Sequence, residues 1–146
     1  MLFRSQYGLA YADLRELNPR LVYCSITGFG QDGPWSRRAA IDGAIQAASG
    51  LMSLSGTQQS GPMRAGYLVA DYATGYAAAL GIVSALYHCA RTGRGQYIDA
   101  SMLEAAMSLA GWEVCEAAST GRFRQLGGNG DGRYISNRFQ IGRAHV

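Results

Sequence analysis

Residues 65–101 of the chain read AGYLVADYATGYAAALGIVSALYHCARTGRGQYIDAS, and this stretch decides the fold. Its apolar segment of small residues, 69–90, has the length and spacing of a long helix. A polar turn and a short strand-like run, 96–100, follow the helix. One carboxylate, Asp71, stands at the head of the segment. Asp71 is therefore either the N-cap of the helix or a carboxylate placed for chemistry.

The sequence on either side of this stretch predicts an α/β domain. The predicted elements, in chain order, are a helix over 11–17, a strand over 21–27, a helix over 41–54, a helix over 69–90, a strand over 96–100 and a helix over 101–119. The last helix opens on a capping box, Ser101-Met-Leu-Glu104. This order is typical of strands that are buried by small-residue helices.

The two ends of the chain resemble one sequencing adapter translated on either side of an inserted sequence. The first five residues, MLFRS, can be encoded by GTGCTCTTCCGATCT. The reverse complement of that string, read from its third base, encodes the Ile-Gly-Arg-Ala that begins at residue 141. We therefore expect residues 1–5 and 141–146 to be adapter-derived, and residues 6–140 to be an internal part of a longer protein.

Charge and composition exclude several functional classes. The formal charge of +3 includes Arg4 and Arg143 of the adapter-like ends, so residues 6–140 carry only +1, and their arginines are scattered. Such a charge does not suit a nucleic-acid partner. The 3 cysteines are far apart and form no C-x-x-C pair, which favours reduced thiols in a cytoplasmic protein.

The apolar segment 69–90 is about long enough to span a bilayer. It is rich in Ala and Gly, however, and it contains polar side chains. Small residues recur three or four apart along it, at Gly75, Ala78, Gly81 and Ala85. That spacing lets two elements approach closely, so we expect a buried helix and no membrane partner.

The run Gly28-Phe-Gly-Gln-Asp-Gly33 matches G-x-G-x-x-G and follows a predicted strand, as the phosphate-binding turn of a dinucleotide site does. The residues after Gly33 begin with Pro34 and do not continue into a helix. No predicted strand ends in an acid about twenty residues later. A structural or substrate-lining loop is favoured, and an NAD(P)-dependent oxidoreductase is kept as an alternative function.

The sequence lacks the histidines and motifs that hydrolase and metal centres need. His88 is the single histidine of residues 6–140, and it lies late in an Ala-rich helix. A histidine there is more often a partner of the helix dipole than a base. The sequence contains no H-E-x-x-H, P-loop or G-x-S-x-G motif, so we expect no metal.

Four motifs in order resemble the family III CoA-transferases, the group that includes formyl-CoA and carnitine CoA-transferases. The motifs are NPRLVYCSITGFGQDGP from Asn18, AIDGAIQAASGLM from Ala40, VADYATG from Val69 and RTGRGQ from Arg91. The resemblance covers residues 7–119. It implies part of a Rossmann-like large domain with long small-residue-rich helices and without a dinucleotide.

The resemblance also implies a role for Asp71, which falls on the nucleophilic aspartate of the V-A-D-x-x-T-G motif. In that family the aspartate attacks an acyl-CoA thioester, forms an aspartyl-CoA thioester, and passes CoA to a free carboxylic acid. We expect the same here, with the backbone N–H groups of the helix start stabilising negative charge nearby. Coenzyme A thioester is then a substrate, and no cofactor is bound permanently.

The resemblance places a CoA pocket just before the second predicted helix. The matching residues are Ala39, Ala40, Ile41 and Asp42. Asp42 can equally be a cap of the helix that begins there. Arg38, together with Arg37, is a candidate for the CoA phosphates.

One departure separates transfer from racemisation. Racemases of α-methylacyl-CoA share this fold and the V-A-D motif, and carry a histidine where this chain has Ile41. A racemase needs two bases to exchange the proton on the α-carbon, so the missing histidine favours CoA transfer. An acyl-CoA racemase is kept as an alternative.

The resemblance further implies the partners of the complete protein: an acyl-CoA, a carboxylic acid acceptor and a second copy of the chain in an interlocked homodimer. We expect the 146-residue chain alone to be inactive, because helices that pack on absent segments leave apolar faces exposed. The loop Gly127–Gly132 lies roughly where some members carry a mobile glycine-rich loop, and it matches too little to carry over a role.

Overall fold

The computed structural model describes residues 6–128. The adapter-like ends, 1–5 and 141–146, and residues 129–132 of the glycine-rich loop lie outside the described residues. The elements are α1 (Tyr11–Leu17), β1 (Tyr23–Thr27), α2 (Asp42–Ala48), a 3₁₀ turn (Leu51–Leu54), β2 (Gly56–Thr57), β3 (Gly61–Pro62), α3 (Val69–Thr92), β4 (Tyr97–Ser101), α4 (Met102–Leu109) and α5 (Gly111–Thr120). The α/β class is confirmed.

The strands β1 and β4 form a parallel pair, with Tyr23 opposite Tyr97 and Thr27 opposite Ser101. Parallel neighbours need a long crossover, and here the crossover contains both α2 and α3. The short strands β2 and β3 pair antiparallel within the same connection. The long helix is therefore fixed by the two strands that it joins.

Two glycines turn the chain from α3 into β4. Gly93 ends the helix in the left-handed conformation, at φ 73°, and its N–H donates to the carbonyl oxygen of Cys89 at 2.8 Å. Gly95 lies so close to the backbone of Leu21 that a Cβ would collide with it. The N–H of Gly95 donates to the Pro19 carbonyl oxygen at 2.8 Å. The R-T-G-R-G motif is therefore a turn from α3 into β4 that packs against the segment before β1.

One stripe of α3 is buried, at Ala70, Thr74, Ala78, Ala85 and Cys89. Gly81 faces β4, where a Cβ would lie 3.3 Å from the Ile98 side chain. Gly75, which the sequence analysis placed in this stripe, is exposed, so that expectation is wrong at one position. The small residues let the helix approach the sheet, as the spacing predicts.

The opposite side of α3 is not buried, contrary to the expectation of a buried helix. Its exposed apolar side chains are Tyr72, Tyr76, Leu80, Val83, Leu86 and Tyr87. Among the described helices, α3 alone is long and apolar enough to cross a membrane by length and composition, with 22% of its apolar window buried. Core helices of soluble proteins also meet these criteria of length and composition.

Two of the predicted helices, 41–54 and 101–119, are each interrupted in the structure. Gly50, at φ 82°, ends α2 before the 3₁₀ turn. Ala110 leaves helical geometry and divides α4 from α5. The predicted N-cap of α4 is confirmed, because Ser101 Oγ accepts a hydrogen bond from the Glu104 N–H at 3.3 Å. These helices enclose a small core of Ile45, Ala70 and Ala106, with Phe29, Leu51, Met102 and Leu103 packed around it.

Candidate active site

Asp71 is the third residue of α3, and its side chain is exposed. The N-cap residue of the helix is Leu68, which provides no side-chain hydrogen bond. Within residues 6–128, the Asp71 carboxylate forms no hydrogen bond and no ion pair. The interpretation of Asp71 as a helix N-cap is therefore wrong.

Asp42 caps α3 in place of a local residue. One carboxylate oxygen, Oδ2, accepts hydrogen bonds from the backbone N–H of Ala70 at 2.8 Å and of Asp71 at 3.1 Å. Asp42 is itself the first residue of α2, and it is only 4% exposed. From its position in the sequence, this residue was expected to be a cap of its own helix or part of the CoA pocket. The structure turns the carboxylate toward the start of the other helix, so Asp42 is not a cap of its own helix.

The first N–H groups of α3 are all bonded. The Val69 N–H donates to the Tyr67 carbonyl oxygen at 2.9 Å, and the Tyr72 N–H to that of Leu68 at 3.1 Å. Asp42 accepts from the two N–H groups between them. These N–H groups are therefore used within the fold, and the negative charge that two of them stabilise is that of Asp42.

Gln46 completes the support of this region, and sequence analysis missed it. Its side chain is 1% exposed. The amide nitrogen donates to Asp42 Oδ1 and, at 3.3 Å, to the Tyr67 carbonyl oxygen, while Oε1 accepts from the Ala65 N–H at 2.8 Å. The available signal was its position one helical turn after Asp42. Two side chains of α2 thus hold the segment that leads into α3.

The other predicted pocket residues lie in different environments. Ala40 packs on the core and touches the position that a Cβ on Gly28 would take. Ala39 and Arg38 are exposed, and the Arg38 guanidinium lies 5.0 Å from the Trp35 ring centre. Ile41, immediately before Asp42, is 75% exposed. Asp42 and Asp71 are joined by a hydrogen bond, whereas no hydrogen bond joins Arg38 to either residue within 6–128.

The glycine-rich loop after β1 is hydrogen-bonded to neighbouring parts of the chain. The Gly28 carbonyl oxygen accepts from the Leu103 N–H at 2.9 Å, and the Gln31 N–H donates to the Asp99 carboxylate at 2.7 Å. The next helix starts only at Asp42. A dinucleotide turn needs a helix directly after its third glycine. The loop is therefore not a dinucleotide-binding turn. A structural or substrate-lining segment stays the preferred interpretation.

The Cys24 thiol does not compete with Asp71 as a nucleophile. Burial raises the pKa of the Cys24 thiol above its usual range, and the nearby charge of Asp99 raises it further. That thiol is protonated at neutral pH and is a poor nucleophile. Within the described residues, no three His, Cys, Asp or Glu side chains are grouped in a way that could hold a metal ion.

Comparison with solved structures identifies the class of this fold. A crystal structure of a CaiB/BaiF family protein from Brucella suis superposes with a TM-score of 0.85 and is 36% identical, over 91% of this chain and 35% of that one. The model of CoA-transferase family III matches residues 3–146. The chain therefore belongs to CoA-transferase family III, as its motifs indicated.

The related proteins are named as CoA-transferases. The succinate–glutarate CoA-transferase of Agrobacterium fabrum is 49% identical over 100 residues, which are 68% of this chain and 25% of the relative. The mouse succinyl-CoA:glutarate CoA-transferase is 41% identical over 104 residues, 71% of this chain and 24% of the relative. The formyl-CoA:oxalate CoA-transferase of Streptomyces avermitilis is 40% identical over 102 residues, 70% and 25% of the two chains. The chain spans about a quarter of the length of these relatives.

Proposed function

We propose that the complete protein is a CoA-transferase that moves CoA from an acyl-CoA to a free carboxylic acid, with Asp71 as the nucleophile. One observation carries the proposal: the Asp71 carboxylate is exposed and unbonded among the described residues, at a helix start that a different acid already caps. A carboxylate that is not needed for the fold is free to react.

The proposed reaction converts one thioester into another through two anhydrides and an aspartyl-CoA thioester. The Asp71 carboxylate attacks the donor thioester carbonyl, which forms an acyl-aspartyl anhydride and releases CoA thiolate. The thiolate then attacks the aspartyl carbonyl, giving aspartyl-CoA and the donor acid. The acceptor carboxylate attacks this thioester, and the thiolate finally attacks the acceptor's carbonyl in the second anhydride. The product acyl-CoA leaves and the Asp71 carboxylate is restored.

Each attack places negative charge on a carbonyl oxygen, which needs hydrogen-bond donors. The first N–H groups of α3 are already bonded. We therefore expect the oxyanion donors to come from residues other than those at this helix start. Arg38, whose exposed guanidinium stacks on Trp35, is our candidate for a CoA phosphate, and the exposed Ile41 for an apolar wall beside it.

We propose short dicarboxylic acids as the substrate class. The proposal rests on related enzymes whose names include succinate, glutarate and oxalate. Succinyl-CoA and glutarate are the first pair to test. A dicarboxylate keeps one charged end away from the reacting centre, so the enzyme needs a cation for that end.

We also propose a cytoplasmic homodimer in which α3 is an internal helix. The relatives are about four times the length of their match to this chain, and a protein of that length has polypeptide to cover the apolar side of α3. Sedimentation of the complete protein tests this. A soluble dimer is expected, and a monomer or a membrane-bound protein would contradict it.

Trapping of the intermediate tests the nucleophile. The complete protein is incubated with succinyl-CoA, treated with hydroxylamine, and digested for mass spectrometry. A hydroxamate at Asp71 is expected only when acyl-CoA is present. Asp71→Asn should abolish the label, and Asp13→Asn, which changes an exposed acid of α1, should leave it intact. A label on another carboxylate would overturn the assignment.

Exchange of the α-proton of a 2-methylacyl-CoA in heavy water, without any acceptor, would instead support a racemase.

A further inference from the structure

We propose that Asp42 and Gln46 act as a positioning pair that keeps the Asp71 carboxylate off its own helix. The inference rests on the proposed function of Asp71. It adds a role for two buried side chains that act on Asp71 through the backbone at the start of its helix. Both residues lie on α2, one turn apart, and both are almost completely buried.

The need for such a pair follows from where Asp71 lies. An acid in the first turn of a helix is attracted to the unpaired N–H groups there. If Asp42 did not accept from Ala70 and Asp71, the Asp71 side chain would be the nearest acid for those N–H groups. A carboxylate engaged in this way is a weaker nucleophile and points away from the substrate. The Asp42 carboxylate removes that competition.

Gln46 fixes which way Asp42 points. Its amide nitrogen donates to Asp42 Oδ1, which leaves Oδ2 for the helix N–H groups. Its carbonyl oxygen accepts from the Ala65 N–H at 2.8 Å, so the amide has one orientation that satisfies both neighbours. The pair therefore fixes the start of α3 relative to the loop before it, and with it the backbone of Asp71.

The hydrogen-bonding pattern predicts that two substitutions, each disruptive alone, compensate for each other when they are combined. In Asp42→Asn, the new NH₂ group faces the Gln46 NH₂ group, and rotating the glutamine moves the mismatch to the Ala65 N–H. In Gln46→Glu, two carboxylates face each other in a buried site. In the double variant D42N/Q46E, the asparagine donates to the glutamate, and the glutamate accepts from Ala65. Every bond is restored except the 3.3 Å contact with the Tyr67 carbonyl oxygen.

The experiment compares these three variants in the complete protein, with succinyl-CoA and glutarate as substrates. We expect each single change to lower kcat by about 10- to 100-fold with KM changed less than about 3-fold, since misplacement of a reacting group acts mainly on the chemical step. We expect the double variant to recover to within about 5-fold of the parent. Ser101→Ala, which removes the cap of α4, is the matched control and should lower the melting temperature without lowering kcat.

Hydrogen exchange of the amides of residues 70 and 71 gives a readout that does not depend on activity. Exchange should accelerate in each single variant and slow again in the double variant. A double variant no more active than the worse single variant would overturn the proposal. Fast exchange with unchanged kcat would also overturn it. If exchange follows the expected pattern while Asp71→Asn remains active, the pair still holds the helix start, and it is the proposed nucleophile that fails.

Discussion

The backbone N–H of Asp71 donates to the carboxylate of Asp42 at 3.1 Å. Asp42 therefore caps the helix to which Asp71 belongs. The first is buried and bonded on both oxygens, and the second is exposed and unbonded among residues 6–128. Two carboxylates near one helix start thus have separate tasks, because only one of them faces the N–H groups.

Asp71→Asn should separate activity from stability. We expect transfer to fall by about 1,000-fold or more, as when the nucleophile of a covalent mechanism is removed. The melting temperature should change by less than about 2 °C, because the side chain makes no contact that the fold requires. Steady-state transfer assays and calorimetry of the complete protein measure the two quantities. A variant that melts far lower would show that Asp71 is structural.

Thr74 belongs to the V-A-D-x-x-T-G motif, and the structure gives it a packing role. Its side chain is buried, and its hydroxyl donates to the Ala70 carbonyl oxygen at 2.6 Å. Thr74→Val keeps the volume and loses the bond, so it should lower the free energy of unfolding by about 1 kcal/mol. Thr74→Ser keeps the hydroxyl and should retain kcat. Loss of activity in Thr74→Ser at unchanged stability would point to a role in the reaction.

Gly95→Ala should destabilise the protein strongly. The new Cβ would collide with the backbone of Leu21, which cannot move without disturbing the start of β1. We expect a loss of about 3 kcal/mol in urea unfolding of the complete protein. Gly111→Ala is the matched control, because nothing lies within 4 Å of its Cβ position at the start of α5. Equal effects of the two changes would contradict the close approach seen at Gly95.

Cys24 should react slowly with thiol reagents, and Asp99 should be one reason. Burial and the charge of Asp99 both raise the pKa of this thiol, so a smaller fraction of it is thiolate at a given pH than in a free cysteine. Asp99→Asn removes the charge, lowers the pKa of Cys24, and should shift the pH profile of alkylation toward lower pH. Mass-resolved alkylation rates measure this, with the exposed Cys115 as the internal standard. An unchanged profile would leave burial as the sole cause.

Several elements could be predicted from the sequence because their signals are local. The helix over 11–17 is found at Tyr11–Leu17, and the long helix starts at Val69 as predicted and continues to Thr92. Periodic apolar residues and a glycine stop act within a few residues of one another, so the chain alone reveals them. The same holds for the four motifs that indicated CoA-transferase family III, which the family model confirms.

Other features depended on contacts between distant parts of the chain. Periodicity did not reveal that Gly50 and Ala110 interrupt two predicted helices, or that one side of α3 is exposed. The sequence selected Asp71 and Asp42 separately and left each with two interpretations.

The sequence by itself determined the family, the long helix and the two acids. Only the tertiary structure decided which acid is bonded and which is free. The reason is physical: a hydrogen bond between α2 and the start of α3 depends on how two helices pack, and no local pattern records that distance.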